Sequence, residues 1–406
     1  MLSDGKKECS YKDGSGFSKG QSKYYLASIY FIVFCAFFDT HAQMPVLAPY
    51  AVLLGAGPFV TGLVIGAYSL FNITGNFSGG AAIDRRDWRL PLLVGLLGVT
   101  ASLFLYTVVN NASQLVLVRA GHGFMGGFLV PSSLAALMGK ESDSSLHRNK
   151  MAIFGAAIGL AAISGPMAAG IIAGFFSYKY VYYFLVGLML TATLVALKFC
   201  SKQPVHAGLQ TYGPFNPLKL LSYPELRGSF IFALGTMGAT GTLAAFLPTR
   251  AELIGLDHAQ TGMLFATFAF TAIVLQILWP NKLKNIIGKD CRACAAGQLL
   301  MASALILASV INVTGGLFLA LFIFGTGFGF SFQGMLGLVA EGSQPGWRGR
   351  AIGSFFAFYS LGAALVPPLG GLIWQQFNLF PFYIAAVVAL LVMFYGKRAV
   401  SAAQVN

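Results

Sequence analysis

Leu47-Ala48-Pro49-Tyr50-Ala51-Val52-Leu53-Leu54-Gly55, followed by Thr61-Gly62, returns as Leu247-Pro248-Thr249-Arg250-Ala251-Glu252-Leu253-Ile254-Gly255, followed by Thr261-Gly262. The offset is 200 residues at every matched position, with no gap. Each copy sits at the end of a long apolar run and begins the next one. A looser pair lies farther on, Gly165-Pro166 with Gly170 against Pro367-Pro368 with Gly370-Gly371. Two copies read in the same direction predict two similar halves related by an axis along the membrane normal.

Working outward from the two copies, apolar runs fill most of the chain. The sequence is 56% hydrophobic and 10% charged, against about 25% charged for a soluble domain. A helix needs about 20 apolar residues to cross the hydrocarbon core. Runs of that kind occupy approximately 24–48, 59–82, 89–110, 114–138, 151–174 and 179–199. A second set occupies approximately 227–249, 259–280, 291–312, 314–340, 351–374 and 379–396. These are spans 1 to 12. The predicted fold is an all-α integral membrane protein of twelve transmembrane helices in two parallel-repeat six-helix halves, 24–199 and 227–396. Residues 200–226 form the linker between them, and Pro204, Pro214, Pro217 and Pro224 discourage a continuous helix there. Residues 1–23 and 397–406 are tails.

Charge sets the expected orientation. With the N-terminus in the cytoplasm, all 26 Lys and Arg fall in cytoplasmic segments except Lys179 and Arg250 outside and Arg119 within a span. Basic residues concentrated on one side place that side in the cytoplasm, so both termini are expected there, in the cell membrane. The net charge of +13 therefore reflects topology. A nucleic-acid surface would gather its bases on one face. Cysteines 9, 35, 200, 291 and 294 make no disulfide framework, and Cys291 and Cys294 read as a chance pair one helical turn apart. The polar first 23 residues lack the apolar core of a cleavable signal. Gly325-Thr326-Gly327-Phe328-Gly329 lies mid-span with no strand before it, so it is no dinucleotide fingerprint. The sequence offers no Walker loop, metal-ligand cluster or nucleophile–base pair, so neither cofactor, metal nor enzyme activity is expected.

Local motifs add a family resemblance. Gly80-Ala81-Ala82-Ile83-Asp84-Arg85-Arg86-Asp87-Trp88-Arg89, between spans 2 and 3, resembles the cytoplasmic loop motif of the major facilitator superfamily, with Asp87 and Trp88 where Gly and Arg are usual. The matching loop of the second half has Lys284 at the Asp84 position. Arg119-Ala120-Gly121-His122-Gly123 in span 4 is similar to the family's span-4 motif. Gly159, then Gly165-Pro166 and Gly170 in span 5, resembles the Gly-Pro motif of the drug–proton antiporter branch. The resemblance implies a monomer in membrane lipid that exports a small organic molecule in exchange for protons. It also implies that Gly80, Asp84, Arg85, Arg89, Gly165, Pro166 and Gly170 shape gating contacts. An uptake symporter or uniporter of the same fold is the first rival, and a non-transporting receptor or scaffold the second.

Only Asp39, of 13 acidic residues, falls inside a span. A charge there costs roughly 2.5–3.5 kcal/mol and usually serves function. Asp39 lies 15 residues into span 1 and Arg119 a few residues into span 4 from the other side; at 1.5 Å per residue their depths coincide. Three roles fit: Asp39 alternates between a proton and a charge partner, forms a fixed ion pair with Arg119, or contacts substrate alone. His122, one turn from Arg119 on nearly the same face, suits either a proton relay or a packing hydrogen bond. Gln43 shares Asp39's face; His41 does so only if Pro45 distorts the helix. Tyr68, Asn72 and Asn76 form a stripe on span 2, and Gln276, Gln333 and Tyr359 are scattered through spans 8, 10 and 11. All are candidates for a cavity lining, or for hydrogen bonds between helices.

Overall fold

Backbone polar groups in hydrocarbon must be satisfied within the segment, which makes helices the solution for long apolar runs. The computed structural model describes residues 19–85, 87–138, 144–200, 217–278, 290–343, 348–377 and 380–401. Within these, twelve helices are long and apolar enough to span a membrane, and no strand occurs. The first half comprises Tyr24–Ala42, Pro58–Ile83, Arg89–Val108, Ala112–Leu137, Asn149–Phe175 and Tyr178–Phe199. The second comprises Pro224–Leu253, His258–Leu278, Asp290–Val310, Thr314–Gly342, Arg350–Phe377 and Pro381–Ser401. An even number of spans puts both ends of the chain on one face, the termini face; the other is the far face. Residues 1–18 of the expected tail, 201–216 of the expected linker, the loop with Lys284, and 402–406 lie outside the described residues.

Two boundaries differ from expectation. Span 1 was expected to run through 48, but the helix stops at Ala42 and a separate short helix covers Leu47–Leu53. Pro45 has no N–H and disfavours helical geometry in the residue before it. The intervening turn instead closes through Met44 N–H to the His41 carbonyl and Leu47 N–H to the Gln43 carbonyl. Span 7 has no proline at the equivalent place and runs unbroken to Leu253. Span 12 continues to Ser401, beyond the expected 396. Lys397 and Arg398 fall in its last turns, where positive charge complements the helix dipole.

The 200-residue repeat is a structural repeat. Gly55 and Gly255 both take positive φ, 85° and 80°, a conformation open to glycine without steric cost. Ala56 N–H bonds to the Ala51 carbonyl and Leu256 N–H to the Ala251 carbonyl. Thr61 Oγ1 donates to the Gly57 carbonyl and Thr261 Oγ1 to the Asp257 carbonyl. Even the dissimilar pair at 50 and 250 does one job. Tyr50 Oη donates to the Tyr106 carbonyl at 2.7 Å near the far end of span 3. Arg250 Nε donates to the Ala308 carbonyl at 2.9 Å near the far end of span 9, while its Nη2 reaches the Ile311 carbonyl and Asn312 Oδ1. The Tyr106 and Ala308 carbonyls belong to helix ends, whose last carbonyls have no partner within the helix. Arg250→Ala strands the Ala308 and Ile311 carbonyls, and the expected loss is about 2–3 kcal/mol. It should appear as a thermal-unfolding midpoint in detergent several degrees below that of the parent; an unchanged midpoint would refute this capping role.

The halves meet through two helix pairs, span 2 with span 11 and span 5 with span 8. Residues 61–67 and 362–371, towards the far face, are buried almost throughout, whereas 69–82 and 352–360 mostly are not. Span 5 with span 8 repeats the pattern, since 161–170 and 261–269 are largely buried and 150–158 and 273–278 are not. The molecule is closed at the far face and splayed at the termini face. Closure depends on missing side chains. A Cβ on Gly62 would collide with the backbone of Pro367 and Pro368, and one on Gly262 with the Pro166 carbonyl. Pro166 and the Pro367-Pro368 pair occupy corresponding places in the halves.

The four described cysteines are free. At the termini face, burial pushes the Cys200 thiol up to about 11, against a smaller opposing pull from Arg89. Arg89 Nη2 donates to the Leu197 carbonyl at 3.1 Å, tying the start of span 3 to the end of span 6. Asp87, which stands where the family motif usually has Gly, accepts from the N–H groups of Arg89 and Leu90 through Oδ1 at 2.7 and 3.0 Å. It caps span 3. Gly80 lies in the last turns of the span 2 helix, which continues through Asp84 and Arg85; the side chains of those two lie outside the described residues.

Candidate functional site

Spans 1, 3 and 4 enclose a buried polar cluster in the first half. Asp39, Gln43, Arg119 and His122 are 2%, 1%, 5% and 1% exposed. Asp39, Arg119 and His122 come from helices whose register brings them there, and Gln43 from the turn that ends span 1. Span 1 runs towards the far face and span 4 away from it, so successive turns pair in opposite order. Asp39 meets His122, and Gln43, one turn on, meets Arg119. His122 Nε2 lies 2.9 Å from Asp39 Oδ2. Gln43 Nε2 donates to Asp39 Oδ1 at 2.8 Å, and Arg119 Nη1 donates to Gln43 Oε1 at 2.9 Å.

The direct Asp39–Arg119 pair that the matched depths left open does not form; the Asp39 carboxylate lies against His122 instead. The discrepancy is one helical turn. Depths counted from span ends carry that error, because one turn is about 5.4 Å. Arg119 instead lies over the Tyr68 ring, with its guanidinium carbon 4.4 Å from the centroid, in a cation–π arrangement. Its Nη1 also reaches Tyr106 Oη at 3.5 Å. Tyr106 Oη in turn lies 3.2 Å from His122 Nδ1.

Aromatic rings wall this cluster. Tyr68 and Tyr106 meet the His122 ring edge-on, with centroids 5.3 and 5.8 Å away. Tyr182 of span 6 stacks flat on Tyr106 at 4.5 Å. Arg119 Nε and the Tyr182 hydroxyl are buried without a protein partner. Tyr106, Tyr182 and Tyr50 are inconspicuous in the sequence, where a tyrosine within an apolar run looks the same whether it faces lipid or a polar core. A hydroxyl at the depth of Arg119 is the available signal.

The other candidates separate. His41 Nδ1 lies 2.7 Å from the Phe37 carbonyl of its own helix, and it takes no part in the cluster. Its Cβ instead faces Gly165 of span 5. Asn72 Nδ2 donates to the Gly123 carbonyl of span 4 at 3.2 Å, and Asn76 Nδ2 to Asn72 Oδ1 at 2.8 Å. The Asn72 contact ties two helices together. Tyr359 is ringed by Phe332, Phe355 and Phe356 at 5.7–6.0 Å. Gln276 and Gln333 are half-buried on spans 8 and 10, in the halves nearer the termini face. Pro166 and Gly170 lie in the span 5–span 8 contact described above.

The second half carries a neutral counterpart, on the equivalent spans 7, 9 and 10. Gln298 Nε2 donates to Thr236 Oγ1 at 2.7 Å and to Ser331 Oγ at 3.2 Å, and those hydroxyls lie 2.8 Å apart. All three residues are fully buried. Small hydroxyl residues give no sequence signal of such a network. Asp290, expected at the cytoplasmic boundary, begins span 9 and is 2% exposed. It packs so tightly on span 10 that a Cβ on Gly337 would strike its carboxylate.

Twelve spans in two repeated halves, with a charged cluster buried in one and a neutral one in the other, define a multi-pass membrane carrier. The chain belongs to the Major Facilitator Superfamily, whose model matches residues 29–237 and again 228–403. It is a transporter rather than an enzyme. Among its relatives, the multidrug efflux protein YfmO of Bacillus subtilis is 23% identical over 363 residues, 87% of this chain and 88% of that protein. The quinolone resistance protein NorA of Staphylococcus aureus is 27% identical over 188 residues, 46% of this chain and 48% of that one. Among solved structures, a bacterial homolog of the human lysosomal transporter Spinster, inward-facing and unoccupied, superimposes with a TM-score of 0.74 at 14% identity. That likeness covers 95% of this chain and 96% of the other. A peptide transporter POT bound to sulfate gives 0.76, also at 14%, covering 93% and 94%. These likenesses establish the fold.

Proposed function

We propose that this protein exports a small, partly apolar organic molecule in exchange for protons, by alternating access across the cell membrane, with both termini in the cytoplasm. The observation that carries the reading is the Asp39–His122 pair at 2.9 Å, buried within the first half. An imidazole and a carboxylate in hydrogen-bond contact give a proton two adjoining resting places. Arg119 supplies a fixed positive charge nearby without capturing the carboxylate, because Gln43 stands between them. The efflux relatives support the direction, and the one-sided distribution of Lys and Arg supports the orientation. With the termini face in the cytoplasm, the splayed state described above opens inward.

The test is a proton-flux assay on purified protein in liposomes carrying a trapped pH-sensitive dye. Lipophilic cations and neutral metabolites are offered in turn. A transported compound should drive protons the opposite way, and a protonophore should stop its uphill movement. Substrate flux at full rate with no proton movement would make the protein a facilitator.

A further inference from the structure

We propose that Tyr106 is a positioning residue for the proton site: its hydroxyl hydrogen rests on His122 Nδ1, and any arriving proton must turn it away. The inference rests on the proton-coupled reading of the Asp39–His122 pair. Its basis is that the buried cluster forms a closed ring of hydrogen bonds in which, with Asp39 ionised and His122 neutral, every donor is determined.

A guanidinium only donates, and an ionised carboxylate only accepts. Arg119 and Asp39 therefore set the direction of everything between them. On one arm, Arg119 Nη1 donates to Gln43 Oε1, which aims Gln43 Nε2 at Asp39 Oδ1. The amide cannot flip, since that would set its NH2 against the guanidinium. On the other arm, Asp39 Oδ2 must accept from His122 Nε2, which places the neutral ring's single hydrogen there. Nδ1 is then an acceptor, and Tyr106 Oη donates to it across 3.2 Å. Tyr106 Oη itself accepts from Arg119 Nη1 at 3.5 Å. Both arms run from Arg119 to Asp39.

One added proton cannot enter this ring without reversing part of it. On Asp39 Oδ1 it would face the immovable Gln43 NH2. On Asp39 Oδ2 it would face His122 Nε2–H, so the ring must release that hydrogen and take one at Nδ1. If the proton joins His122 directly, it also resides at Nδ1. No covalent bond to Tyr106 breaks; in every case a hydrogen on Nδ1 points at Tyr106 Oη, whose own hydrogen must rotate out. Among the described residues, Tyr106 Oη is within hydrogen-bond distance of His122 and Arg119 alone. Arg119 is a donor, Tyr68 lies beneath the guanidinium, and Tyr182 is stacked flat on the Tyr106 ring. Tyr50 is engaged with the Tyr106 carbonyl, and His41 is turned to Phe37. A proton on the pair thus leaves span 3 with a stranded buried hydroxyl, which a shift of span 3 against span 4 relieves. Tyr106 makes the proton state felt by the helix packing.

Two measurements test this. In protein with 15N-labelled histidine, the His122 signal, assigned by its loss in His122→Gln, should show the Nε2–H tautomer at alkaline pH; an Nδ1–H signal would overturn the ring's direction. In liposomes, Tyr106→Phe keeps the stacked ring and removes only the hydroxyl. It should reach half-maximal exchange at on the order of tenfold lower proton concentration, and should leak protons without substrate. Tyr180→Phe, which removes a hydroxyl from an exposed tyrosine of span 6, should leave the profile in place. A Tyr106→Phe profile and leak identical to the parent would overturn the proposal. Were Asp39→Asn also to leave proton movement intact, the coupling reading itself would fall; were Asp39→Asn to abolish it, only the role of Tyr106 would.

Discussion

Asp39→Asn should abolish substrate-driven proton movement, by roughly a hundredfold or more as for loss of other proton-transferring groups, while leaving substrate binding within about threefold. Asparagine has the size of aspartate and carries no exchangeable acidic proton. It also fits the cavity only by rearrangement. The Asp39 carboxylate accepts on both oxygens, from Gln43 and from His122. An amide offers one acceptor and one donor. With its oxygen towards Gln43, its NH2 faces His122 Nε2, which accepts once the ring moves its hydrogen to Nδ1. The variant thus keeps Gln43 and His122 bonded and imitates the protonated pair, turning out only the Tyr106 hydroxyl, so a loss of proton movement with binding retained reports on coupling rather than collapse. Downhill substrate flux should persist, since alternating access does not itself require the proton. The measurement is proton and substrate flux from the same liposomes, with binding checked in detergent. Proton movement that continues unchanged in Asp39→Asn would make the carboxylate a structural group and remove the proposed coupling site.

Parts of this account were legible in the sequence for definite physical reasons. Twelve spans stand out because hydrocarbon admits no ambiguity about backbone satisfaction. The repeat at 47–62 and 247–262 survives without a gap because it encodes a tight turn that needs glycine at 55 and 255, both at positive φ. It also encodes a close approach at Gly62 and Gly262. Geometry of that kind constrains spacing. Asp39 and Arg119 were visible because charge in an apolar run is conspicuous. Their partnership was displaced by one turn, since the depth of a residue within a span is known only as well as the span's ends. Pro45 broke span 1 where a continuous helix was expected. Tyr106 stayed hidden because its role arises from the acceptor on His122 Nδ1, a relation between spans 3 and 4 that composition does not carry. The Thr236–Gln298–Ser331 network was hidden for the same reason.

Gly262→Leu should slow transport by roughly ten- to a hundredfold and hold the far face open. In the closed state a Cβ at 262 would collide with the Pro166 carbonyl and lie 3.4 Å from the Gly170 Cα. The obstacle is backbone of span 5, which cannot swing aside as a side chain can. Overpacking of this kind costs about 1–3 kcal/mol, and it falls on the closed arrangement alone, which shifts the balance between states by roughly the factor stated. A bulky residue here therefore opposes sealing rather than opening. The trapped state should be detectable with a membrane-impermeant thiol reagent applied from the far side. Ala169→Cys, at a span 5 position 1% exposed in the closed state, should label faster in the Gly262→Leu background than alone. Gly174→Leu serves as the comparison, because a Cβ on that glycine of the same span would meet no atom within 4 Å, and it should transport normally. Gly62→Leu, against Pro367 and Pro368 in the other pair, should reproduce the defect, since the two glycines are the same element of the repeat. Wild-type transport in Gly262→Leu would mean that the halves do not need to meet at span 5 and span 8 for the cycle to run.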